Sequence, residues 1–399
     1  MNNIRGLSTK YAYVLFTLFC IVFPFGQLLR VERYIFGFYV VIHPIDIIAL
    51  LSFPFLFLNK KNKLFSYIWN ILYIFISSWL FSIIIFKNLE VIQGLLYLLR
   101  IIFYFAFANL VFYLSENTKI KRKLLNMIFL SISVFMAFGI IQLIYFYDLR
   151  DLYFVGWDNH LYRLTSTLFD PGYSSTVLII GLIILNKFNL FINKYLKYLL
   201  YFAFFISIIF TFSRAAYVTL FLISVINFRK YFKYILLISV ILTLIYVISP
   251  KPRSSGVELY RQFSIIQRIS NYKDTLNMFY SHPLFGIGFN NICIYRTNYL
   301  NKDNLESHSC SGSDSSIFQI LATTGIVGVI VIIYSVFKLN RSLKKGVYNK
   351  TLLLIFFSVL INSLFNNSLF YNFILGILAV FIGLTRRTKT IPDKLQLNP

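Results

Sequence analysis

Acidic side chains are scarce in this chain. Asp and Glu number 14 against 38 Lys and Arg in 399 residues, and the four charged types together make up only 13%. A soluble domain carries roughly 25% charge, so the shortage excludes an ordinary water-soluble globule. With 58% hydrophobic and 19% aromatic residues, the composition describes an integral membrane protein. The net charge of +24 would suit a nucleic-acid partner if the basic residues formed a face or stripe. They form short clusters between apolar runs instead, which reads as orientation signals and no nucleic acid. Cysteine is limited to three: Cys20 lies in the first apolar run and reads as packing, while Cys293 and Cys310 share a long polar interval, as a disulfide or as free thiols. No small-residue cleavage site follows Tyr11–Leu29, so that run reads as a first span rather than a removed leader. No metal-ligand spacing is found. Nor is there an internal repeat of the kind that marks many secondary transporters.

Long apolar runs are what the chain has in place of charge. At about 20 residues per spanning helix, twelve candidates emerge: Tyr11–Leu29, Val41–Leu58, Leu64–Phe86, Val91–Leu114, Leu124–Phe146, Tyr173–Leu190, Leu196–Phe212, Ala215–Phe228, Tyr234–Ile248, Ser315–Phe337, Thr351–Leu364 and Leu369–Leu384. The expected fold is therefore all-α and polytopic, a single membrane domain over residues 1–399. With the amino terminus cytoplasmic, 24 of the 38 Lys and Arg fall on the cytoplasmic side and 11 of the 14 acids on the other. That asymmetry fixes the orientation by the positive-inside rule. Both termini are then cytoplasmic, and the long loops face outward.

The longest polar interval, Ser249–Ser313, lies between the ninth and tenth spans as a large external loop. It holds Arg253, Arg261, Arg268, His282, Arg296 and His308 and leads into the apolar helix at Asp314. Ile265–Phe279 within it has the spacing of an amphipathic surface helix. His282 opens His282-Pro283-Leu284-Phe285-Gly286-Ile287-Gly288-Phe289. It is either a base or, as a histidine before proline more commonly is, structural. The two glycines make no dinucleotide fingerprint, because no strand precedes them and the third glycine is absent. Asp314, in Ser313-Asp314-Ser315-Ser316, either caps the following helix or accepts a proton from an acceptor hydroxyl. Gly325 and Gly328 follow at a spacing suited to close helix packing.

Three further arginines stand out. Arg214 sits in a short turn, Ser213-Arg214-Ala215, between two apolar runs; it either snorkels at a hairpin or binds an anion such as a diphosphate at the outer surface. Arg163 precedes the turn signal Asp170-Pro171-Gly172 and is either a solvated loop cation or a ligand for the same anion. Arg100 lies inside the fourth span, where it either pairs with an acid such as Asp46 or lines a wet groove.

The outward Ser213-Arg214-Ala215 turn, the Arg163–Gly172 segment, the Pro283–Phe289 motif and the Asp314–Gly328 stretch, in this order, resemble the O-antigen polymerase and ligase family of Wzy-type membrane glycosyltransferases. The resemblance implies a GT-C-like membrane enzyme of the bacterial inner membrane. Its implied reaction joins glycan repeat units carried on undecaprenyl diphosphate, without a nucleotide sugar, metal or other cofactor. In that reading Asp314 and Arg214 are catalytic, and Arg163, Arg100, Arg268 and His282 bind the diphosphate or glycan. A flippase and a chain-length regulator would be partners beside membrane lipid. Ligases of this resemblance carry a histidine eleven residues before the glycine corresponding to Gly325; Asp314 stands there in this chain, which favours a polymerase. The rivals are a ligase of the same family, a flippase or other transporter, and an accessory subunit without chemistry.

Overall fold

The computed structural model describes residues 2–35, 38–59, 62–87, 89–190, 193–227, 262–300, 312–343 and 346–387. Helices dominate it. They are α1 Asn2–Val22, α2 Pro44–Leu51, α3 Lys63–Phe86, α4 Ile92–Leu114, α5 Thr118–Tyr145, α6 Pro171–Lys187, α7 Lys194–Phe210 and α8 Arg214–Asn227. After these come α9 Gln262–Ser281, α10 Ile292–Leu300, α11 Ser316–Ser342, α12 Val347–Asn362 and α13 Asn372–Leu384. Among the described residues, five segments are long and apolar enough to cross a membrane: Leu7–Leu29, Lys63–Phe86, Ile92–Leu114, Thr118–Tyr145 and Ser316–Ser342. The chain is a multi-pass membrane protein.

Helix starts are written in the sequence. Asn62, Asn117, Asp170 and Asn193 each accept a backbone N–H of the first turn through the side chain, satisfying donors that a helix leaves open at its amino end. Lysines crowd the first turns of α3, α5 and α7, where the helix dipole disfavours a cation by a few tenths of a kcal/mol.

Two expectations need correction. Val41–Leu58 is not a continuous span. Residues Val31–Ile35 (β1) and Phe38–Ile42 (β2) form an antiparallel hairpin, so the fold is not strictly all-α. The chain then makes α2 and a 3-10 turn at Phe53–Phe55. The cause is proline: Pro44 and Pro54 each lack an N–H donor and can stand only at the start of a helical segment. At eight residues α2 is about 12 Å long, far short of a bilayer core. The second correction concerns α11, which is broken at Gly325 (φ 64°, ψ −172°) rather than merely packed closely there. The expected span Tyr234–Ile248, and with it the twelve-span count, lies outside the described residues, as do Arg253, Arg261, His308 and Cys310.

One apolar core runs through α1 to α8, α12 and α13, with Phe16, Phe19, Phe23, Phe107, Phe135, Phe373 and Phe381 fully buried. A second, smaller cluster of Met278, Ile287, Ile292, Tyr295 and Ala322 packs against Phe86 at the last residue of α3. It fastens α9 and α10 to the first half of α11. The described part of the polar interval, residues 262–300, thus has its own core, which reaches one end of α3 at Phe86.

Candidate functional site

The break in α11 is where this structure is anchored. With Gly325 out of helical conformation, the carbonyls of Ala322 and Thr323 lose their partners at Ile326 and Val327. Ile287 and Gly288 donate to those two carbonyls at 2.9 and 3.1 Å, and the orphaned N–H groups of Ile326 and Val327 donate to Pro283 and Leu284 at 2.9 and 3.2 Å. The Pro283–Gly288 turn therefore replaces the helical bonds one for one, which is the condition for irregular backbone inside a membrane protein. Gly286 and Gly325 have no room for a side chain: a Cβ on either would meet backbone at 2.3 Å. His282 belongs to this anchor. Its Nδ1 pairs with Ser281 Oγ at 2.9 Å and its carbonyl accepts Gly286 N–H. It stands seven residues past Thr275, about 10 Å along the helix, and is not brought to Asp314.

At the other end of the same helix pair a polar cluster assembles. Asn271 of α9 accepts Asp314 N–H at 3.0 Å and Ser313 Oγ at 3.2 Å, and Thr275 Oγ1 bonds Ser313 Oγ at 3.1 Å. Ser315 occupies the cap position and α11 begins at Ser316, so Asp314 stands one residue outside the helix and does not cap it. Burial pushes the Asp314 carboxyl above the usual range, Arg268 and Arg296 pull it back, and Asp158 pushes it up further. Arg268 reaches Asn366 at 3.4 Å, and its charge also bears on Arg214 at the start of α8. Arg268 thus bears on both the Asp314 carboxyl and Arg214.

The turn between α12 and α13 closes the cluster. Tyr272 donates its hydroxyl to Leu364 O at 3.0 Å. Asn367 pairs with Gln319 at 2.7 Å and Ser316 at 3.1 Å. Sequence reasoning overlooked Asn366 and Asn367. Their signal was present as Asn362-Ser363-Leu364-Phe365-Asn366-Asn367-Ser368, an amide-rich interval between two short apolar runs. Asp158 was overlooked as well, because a lone acid in a loop carries no pattern of its own.

Arg163 and Arg100 have other occupations. Arg163 is only 6% exposed. It donates to Thr211 O at 3.1 Å and Phe212 O at 3.4 Å and lies 3.4 Å from His160 Nδ1, holding the turn from which Arg214 projects. Arg100 donates to Asp46 at 3.1 Å and Val41 O at 2.7 Å. Asp46 in turn accepts Tyr104, and His43 links it to Gln27 and Asn372. Of the two readings of Arg100, the ion pair is the one present. Asp170 caps α6 by accepting Tyr173 N–H at 2.8 Å. Cys20 is a free buried thiol, and Cys293 is in a disulfide.

Residues 199–333 match the family model described as O-antigen ligase. The match bears out the family resemblance over this segment, which takes in Arg214, Arg268, His282, Arg296 and Asp314 and leaves Arg100 and Arg163 outside. The comparison with curated proteins finds no match.

Proposed function

We propose that this membrane protein, with its O-antigen ligase-family segment at residues 199–333, polymerises lipid-linked glycan repeat units at the outer face of the bacterial inner membrane. The growing chain leaves undecaprenyl diphosphate and passes to a hydroxyl of a new lipid-linked repeat. The acceptor oxygen bonds to the anomeric carbon as the bond from that carbon to the diphosphate oxygen breaks. The released electron pair stays on the diphosphate, beside Arg214 and Arg268, and the hydroxyl proton passes to Asp314. A guanidinium suits the leaving group because it is planar, permanently charged and rich in donors. A carboxyl whose proton affinity is raised by burial suits the base.

The observation that carries this reading is the Ser313–Asp314 turn held against α9 by Asn271 and Thr275, with the charge of Arg268 on that helix bearing on both Asp314 and Arg214 and with Arg163 fixing the turn before Arg214. The family description favours one alternative, transfer of finished polymer onto a lipid core. Reconstituted protein with a defined undecaprenyl-diphosphate repeat, without nucleotide sugar, separates the two. A ladder of products supports the polymerase. Product formed only after a lipid-core acceptor is added supports the ligase, with Asp314 reassigned.

A further inference from the structure

Resting on the reading of Asp314 as proton acceptor, we propose that Arg296 is the positioning residue that holds the Gly312–Asp314 turn and sets a positive charge beside that turn.

Arg296 is an unexpected place for a cation. It lies on α10, a nine-residue helix, and is only 6% exposed. Its neighbours Ile292, Ile294 and Tyr295 are buried with it. A guanidinium removed from water costs several kcal/mol unless its position compensates, so its orientation carries information. Nη1 donates to Gly312 O at 3.2 Å, two residues before Asp314. The charge of Arg296 faces two carboxylates, Asp274 of α9 and Asp314.

The turn is held from two sides. Asn271 and Thr275 grip Ser313 and the Asp314 N–H from α9, and Arg296 grips Gly312 from α10. Helix α10 is itself tied down through Tyr295, whose hydroxyl donates to Ser281 Oγ at 3.0 Å, and through the disulfide at Cys293. The base is thereby placed by two helices that share a core with the Gly325 anchor.

Several charged or titratable groups face Asp314: Arg268 and Tyr272 of α9, Arg296 of α10, Tyr173 of α6 and Asp158 of the loop before α6. Burial and Asp158 favour the protonated acid, and the two arginines oppose them. Neutralising Arg296 therefore raises the pH at which Asp314 becomes a base.

The test is the pH dependence of glycan extension by reconstituted protein carrying Arg296→Gln, which retains a donor for Gly312 O, and Arg296→Met, with Arg296→Lys as the charge-preserving control. The inference predicts that the rise of activity with pH moves to higher pH in both neutral variants and stays in place in the lysine variant. Either neutral variant that accumulates in the membrane suffices. A uniform loss of activity with an unmoved midpoint would reduce Arg296 to a structural brace and overturn the inference. Asp314→Asn is the companion measurement. Full extension by that variant would overturn the base reading and this inference together, whereas a dead Asp314→Asn beside an unmoved Arg296→Gln midpoint would overturn only the inference.

Discussion

A guanidinium in a membrane protein can brace backbone, pair with a carboxylate or wait on an anion, and the arginines here divide among those tasks by what each one touches. Arg163 spends its donors on the carbonyls of Thr211 and Phe212. Each buried charge-assisted bond contributes about 1.5–3 kcal/mol. Arg163→Ala is therefore expected to lower the melting temperature in detergent as well as the activity, and Arg214→Ala to abolish extension; thermal unfolding beside product gels checks both. Asp46→Asn leaves Arg100 in a buried, half-emptied network. Breaking a buried pair from one side costs about 3–5 kcal/mol, so this variant should unfold at clearly lower temperature, with the Arg100→Met and Asp46→Leu double replacement recovering much of the loss. The sequence marked all these arginines as candidates because a cation among apolar residues stands out. It did not tell brace from ligand, since that depends on carbonyls contributed from turns far along the chain.

Helices were the most legible elements. Ten of the twelve expected spans fall on described helices, most within a few residues, although the first is displaced from α1 by up to nine, because apolar length and a capping Asn or Asp act locally. Val41–Leu58 misled because hydrophobicity was counted and the two prolines were not. Gly325 was read as a packing residue, whereas its positive φ opens α11 to the Pro283–Gly288 turn. That exchange of hydrogen bonds joins residues some 40 positions apart, and no short-range pattern reports it. Gly325→Ala places a side chain in a backbone region reserved for glycine, at a cost of order 1–3 kcal/mol, and against the Leu284 carbonyl. Loss of both melting temperature and extension is expected, since the anchor also sets the height of α9 and α10. Wild-type melting in this variant would show that the break is not needed.

Across the whole molecule, polar chemistry gathers where α9 and α10 meet the start of α11, beside the smaller apolar cluster that joins the three helices. The distribution of lysine and arginine predicts that this cluster faces outward. An impermeant maleimide should accordingly label Asn159→Cys in intact spheroplasts and Lys338→Cys only after permeabilisation; the reverse pattern would invert the orientation. Asp158 adds a pH prediction with a definite sign. It pushes the Asp314 carboxyl up, so Asp158→Asn should move the rise of activity toward lower pH, opposite to the neutral replacements of Arg296. The most direct measurement of the account is extension of a chemically defined undecaprenyl-diphosphate repeat by wild-type protein, Arg214→Ala and Asp314→Asn, each purified and reconstituted at matched density. A ladder from the wild type that disappears in both variants, with folding intact, is the predicted result. A ladder that survives either substitution would contradict the site proposed for the diphosphate or for the base.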